Sequence, residues 1–158
     1  FCNKEVLIEE GTTAIHNEVY KIIDGIVAKD YNAIEENFEI RKMFKEMFKS
    51  VNDSPIYQLK KHYPEIYSKM MANKLDDCNV MFRQNIVKGI SQGLYRENLD
   101  VEKYIRFYYM LIFTINETIA SEKEALELEL DALEYHTRAM ATLAGIIELE
   151  KQLQLNNN

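Results

Sequence analysis

Apolar residues recur along most of this chain at intervals of three and four, the period of a helix with one buried face. Leu7, Ala14, Ile15, Val19, Ile22, Ile23 and Ile26 form one such stripe and predict a helix from about Asn3 to Val27. Gly11 and Gly25 fall inside it, and each weakens it by about 1 kcal/mol relative to Ala. Ile34, Phe38, Met43, Phe44, Met47 and Phe48 predict a second helix. Val51 to Pro55 reads as a stop and a new start, with Ser54 able to cap and Pro55 suited to the first helical position. That short helix ends by Tyr63, because the residue before Pro64 is pushed out of the α region. A long helix follows from Pro64 to about Gly93, with Tyr67, Met70, Met71, Leu75, Cys78, Met81, Phe82, Ile86, Ile90 and Leu94 on one side. Gly93 suits its C-terminal cap, and Asn98 or Asp100 suits the next N-cap.

The next helix, about Val101 to Ala120, contains the unbroken apolar run Tyr108-Tyr109-Met110-Leu111-Ile112-Phe113. Such a run covers every side of a helix, so this one is expected to be buried all round, with a partner subunit completing the enclosure. The last helix carries Leu126, Leu130, Leu133, Thr137, Met140, Ala144 and Ile147, a heptad-like seam continuous through residue 147. Beside the seam lie Ala139, Ala141, Thr142, Ala144 and Gly145, small enough for another helix to come close. About six helices in an all-α fold are expected, and no linker, repeat or low-complexity tract divides the chain.

Composition narrows the function. The chain has 158 residues, enough for one domain with its own core. Its formal charge of −7 speaks against a nucleic-acid surface within these residues, since phosphate binding needs clustered Lys and Arg. Two cysteines, Cys2 and Cys78, do not make a disulfide framework, and a reducing cytoplasm is expected. No signal-like segment opens the sequence, and the longest apolar run, Phe107 to Phe113, is far short of the ~20 residues that span a bilayer.

Catalytic patterns are missing. There is no Gly-rich phosphate loop, Cys-x-x-Cys pair, His-Glu-x-x-His helix or Gly-x-Ser-x-Gly elbow. The residues three before His16, His62 and His136 are Thr13, Leu59 and Leu133, so the Glu-x-x-His pairs of helical metal sites are lacking too. Asp76-Asp77-Cys78 points around a helix instead of converging on a metal. A binding protein without cofactor or metal is expected. Met and Tyr contributed by several helices, a mixture common in small-molecule pockets, suggest a cavity.

Three stretches resemble the TetR (tetracycline-repressor-like) family of bacterial transcriptional regulators. Phe1-Cys2-Asn3-Lys4-Glu5-Val6-Leu7-Ile8 looks like the family's junction between its DNA-binding head and the long connecting helix. Gly89-Ile90-Ser91-Gln92-Gly93-Leu94-Tyr95-Arg96-Glu97-Asn98-Leu99-Asp100 is similar to the turn before its eighth helix. Leu133 through Thr137-Arg138-Ala139-Met140-Ala141-Thr142 to Gly145 looks like the ninth, whose small residues pack at the dimer interface. The resemblance implies the C-terminal ligand-binding and dimerisation domain of such a regulator, with the helix-turn-helix head placed before Phe1. It implies a cytoplasmic homodimer that reaches operator DNA through that head, and an apolar or aromatic effector. The pocket positions it implies are Phe44, Met47, Tyr57, Tyr67, Met71, Phe82, Tyr108 and Ile112. The interface positions are Phe113, Met140, Ala141, Ala144 and Ile147. The alternative is a helical dimerisation module with neither effector nor DNA-binding role.

Overall fold

The computed structural model describes residues 4–47 and 55–156; the side chains of 4–5, 47, 55–57, 71–78 and 122 are outside that description, as are Phe48, Ser54 and the expected stop at 51–54. The described residues form seven helices: α1 (Lys4–Val27), α2 (Ala33–Met47), α3 (Pro55–His62), α4 (Pro64–Ser91), α5 (Val101–Thr118), α6 (Glu122–Met140) and α7 (Leu143–Asn156). Among the described residues no helix is long and apolar enough to cross a membrane.

Local chemistry explains most boundaries. Asn32 opens α2: its Oδ1 accepts from the backbone N–H of Ile34 and of Glu35, both at 3.0 Å, while Glu35 Oε2 accepts from Asn32 N–H at 3.0 Å. This reciprocal box satisfies backbone donors that the first helical turn leaves free. Pro64 starts α4 after Tyr63, Asp100 caps α5 by accepting from Lys103 N–H, and Ser121 caps α6 by accepting from Glu124 N–H. At the end of α4, Gly93 adopts φ 71°, a left-handed conformation that favours glycine. Leu94 N–H then bonds Gly89 O at 2.9 Å and Gly93 N–H bonds Ile90 O at 3.0 Å, closing the helix with a Schellman turn.

The helix α4 packs on α1, α2, α3 and α5, α6 packs on α5 and α7, and α7 returns against α2. The core between them holds Ala33, Ile34, Phe38, Ile86, Tyr95, Ile105, Leu133, Met140, Leu149 and Leu153. A buried polar strip ties α2 to α4. Glu36, only 3% exposed, accepts from Asn85 Nδ2 at 2.7 Å and from Lys88 Nζ at 2.6 Å, and Asn85 also donates to Ala33 O.

The expected single last helix is two. Ala141 is extended (φ −67°, ψ 146°), and residues 140–142 pair with the turn after α4. Arg96 N–H donates to Met140 O and Thr142 N–H to Leu94 O, each at 2.9 Å. Thr142 Oγ1 donates to Gly93 O at 2.6 Å and accepts from Gly145 N–H, which starts α7. Helical bonding is therefore exchanged at this point for bonds to a distant turn. Space at the crossing is tight: a Cβ on Gly145 would stand 2.1 Å from Leu94 O, and one on Gly89 2.2 Å from the Tyr95 ring.

Candidate functional site

Two regions answer to the expected sites. The first is the interior between α2, α4, α5 and α6. Phe82 of α4 meets Tyr108 of α5 edge to face at 5.3 Å, and Tyr108 stacks on His136 of α6 at 4.5 Å. Both Phe82 and Tyr108 pack against the core. Burial lowers His136 to about 4, so its imidazole is neutral at neutral pH. Burial likewise pushes the Tyr108 hydroxyl up, with Glu129 adding to the effect. Ile112 lies one turn beyond Tyr108, and Phe44 stands on α2; both are half-buried. Tyr67 belongs to the end of this region near α3. Its hydroxyl bonds Glu117 Oε1 at 3.4 Å, and Lys60 Nζ holds the same oxygen at 3.1 Å. Burial first and Glu117 second push Tyr67 up to about 12. The side chains of Met47, Tyr57 and Met71 lie outside the described residues, as do those of Asp76, Asp77 and Cys78. Among the described residues no acidic, His or Cys group is placed to hold a metal.

One residue of this region was not among the expected ones. Arg41 follows Ile34 and Phe38 at helical spacing on the inward stripe of α2, and it is partly buried. Its Nη2 donates to Leu126 O at 2.7 Å, while its Nε is buried with no hydrogen-bond partner. Burial lowers the Arg41 pKa against the opposing pull of Glu129 and Tyr108. An arginine interrupting an apolar stripe is the signal in the sequence that points to it. An open hollow of about 440 Å³ lies apart from this region, along α1, lined by Val6, Glu9, Glu10, Thr13, Ala14 and Asn17.

The second region is the outer side of the α5–α6 hairpin. The two helices meet along Tyr108–His136 and Asn116–Glu129, the latter a hydrogen bond of 3.1 Å. On one side of that line Ile105 and Leu133 enter the core. On the opposite side the helical period places Phe107, Met110, Leu111 and Thr114 of α5 beside Leu128, Tyr135 and Ala139 of α6. Met110 is 59% and Tyr135 68% exposed, and Phe107, Leu111 and Phe113 are exposed too. The helix α5, expected to be enclosed, is thus covered on one side and bare on the other within a single chain.

The expected interface residues divide. Phe113, Ala144 and Ile147 are exposed, Ile147 by 66%. Met140 is corrected: at 0% exposure it belongs to the chain's own core and has no surface to offer. Ala141 is also reassigned, since it pairs with Tyr95 and its Cβ lies 3.0 Å from where a Gly145 Cβ would stand. The small residues at 141 and 145 admit the chain's own turn, Leu94 to Arg96. In comparisons with known proteins, no family model, no curated protein and no solved structure matches this chain.

Proposed function

We propose that this chain is the regulatory part of a TetR-like DNA-binding transcriptional regulator, a repressor that dimerises and senses a small molecule. Two copies associate through the outer face of the α5–α6 hairpin. The effector occupies the aromatic region between α2, α4, α5 and α6, and operator DNA is reached through a helix-turn-helix head preceding Phe1. A molecule that prefers one arrangement of α1 shifts the pair of heads toward or away from the half-site spacing on DNA, by no more than its differential affinity for the two arrangements.

The observation that carries this reading is the bare apolar stripe of Phe107, Met110 and Leu111 beside Tyr135. Two helices presenting such a stripe form half of a four-helix bundle, and a second copy related by a two-fold axis supplies the other half. Light scattering at micromolar concentration is expected to give twice the 18.6 kDa of one chain. Met110→Arg places a long cation in the middle of the stripe and is expected to return the single-chain mass with an unchanged helical spectrum. A single-chain mass for the unmodified protein refutes the dimer, and a dimeric Met110→Arg refutes the assigned face. DNA binding is tested on the protein carrying its head, by operator selection at low salt; no enriched duplex refutes the regulator. The direct packing of Tyr108 on Phe82 and His136 supports a second reading, a dimerising module without effector, which titration with a fluorescent aromatic probe separates from the first.

A further inference from the structure

Resting on the effector-sensing reading above, we propose that Arg41 is the anchor for the charged end of the effector, and that the effector is a small monoanion with an aromatic or apolar body.

Three observations lead there. Arg41 occupies the inward stripe of α2, one turn past the buried Phe38, so its partly buried guanidinium reaches from α2 to α6. In that position it has one neutral acceptor, Leu126 O, and a buried Nε–H with none. The nearby carboxylate is engaged elsewhere: Glu129 Oε1 accepts from Asn116 Nδ2 at 3.1 Å, and among the described residues no carboxylate forms an ion pair with Arg41. A cation withdrawn from water without a counter-ion is costly, and buried arginines are ordinarily paired. An anionic group from outside the chain would match this donor.

The chemistry of that group follows from the surroundings. The guanidinium edge carrying Nε and Nη is a planar fork that fits carboxylate or sulfonate oxygens. Beside it stand Tyr108 and the rings packed on it, Phe82 and His136, an aromatic wall against which a flat apolar body would lie. The neutral imidazole of His136 adds no second cation. The charge of Glu129 is close enough to act on Arg41, so a second negative charge on the ligand meets repulsion without compensation. One anionic group and one flat apolar body satisfy the site.

Two probes differing by a single anionic group make the test: 8-anilinonaphthalene-1-sulfonate and its neutral parent N-phenyl-1-naphthylamine. Both are titrated by fluorescence into the full chain, the Arg41→Met variant and the Arg41→Lys variant. Thermal melts check folding, and Arg41→Met is expected to melt at or above the unmodified protein because an unpaired buried charge is gone. Arg41→Met is expected to weaken the sulfonate by about tenfold or more, the loss of a charge-assisted pair, and to leave the neutral probe within about twofold. Arg41→Lys retains part of the sulfonate affinity. Equal changes for both probes, or none for either, overturn the anion anchor while leaving a sensor of neutral molecules standing. Failure of both probes to bind the unmodified protein removes the effector site, and this inference with it.

Discussion

Adding one methyl group at position 145 tests whether the break between α6 and α7 is a tertiary feature. Gly145 is buried in the first turn of α7, and a Cβ there would meet Leu94 O at 2.1 Å, more than 1 Å inside ordinary contact. The obstacle is backbone and cannot rotate away. The same oxygen accepts from Thr142 N–H at 2.9 Å, so moving it strains a bond that holds the crossing. Overpacking costs about 1–3 kcal/mol and each weakened hydrogen bond about 1 kcal/mol. The better helix propensity of Ala returns about 1 kcal/mol. Gly145→Ala is therefore expected to lose about 2 kcal/mol net, a fall of roughly 4–8 °C in thermal midpoint for a chain of this size. Gly25→Ala is the matched control: nothing lies within 4 Å of its Cβ position, so the propensity term acts alone and the midpoint rises by roughly 2–4 °C. Circular dichroism melts of both variants decide the matter. Shifts of the same sign at the two positions, or a Gly145→Ala protein as stable as its parent, would refute the reasoning.

His136 makes stability depend on pH. Its folded pKa lies near 4 against 6.5 for a free side chain, so the unfolded chain takes up the proton first as pH falls. Its contribution is complete above pH 6.5, is lost as pH falls toward 4, and amounts to about 3 kcal/mol across that window. Urea midpoints measured over the range should fall less steeply for His136→Phe, and identical slopes would contradict the assignment. Lys88→Met leaves the Glu36 carboxylate, 3% exposed, with Asn85 as its remaining donor, and is expected to cost about 3 kcal/mol by urea denaturation; a loss below ~1 kcal/mol would mean that water reaches Glu36. Ile147→Lys leaves the core untouched, since Ile147 is exposed, and should weaken the dimer on dilution only where the interface runs past the α5–α6 hairpin onto α7, without lowering the stability of one chain. An unchanged dimer would exclude α7 from the interface.

The α period, the two prolines and the polar caps were enough to place α1 to α5 within about two residues of where they lie, because these boundaries depend on groups a few positions apart. Pro64 and Gly93 act on their own neighbours, and so does the Asp100 cap. The Asn32–Glu35 box was equally local and open to reading in the same way. What the sequence could not disclose is the use of groups far apart in the chain. Near Ala141 only Gly145 weakens a helix, no more than Gly11 and Gly25 weaken α1, so the stripe from Leu126 to Ile147 reads as one helix; Leu94 and Arg96 divide it, by taking over the bonds of Met140 and Thr142. The same crossing turns Ala141 and Gly145 inward, and it buries Met140 within its own chain. An apolar run such as Tyr108 to Phe113 states that a helix has no polar side, but only the packing of α4 and α6 decides which side stays bare. Arg41 shows the same division: its place on an apolar stripe is written in the sequence, whereas its lack of a counter-ion exists only once α2, α5 and α6 have come together. Periodicity and capping are local and survive in one dimension; pairing, burial and exposure are properties of neighbours that the fold alone supplies.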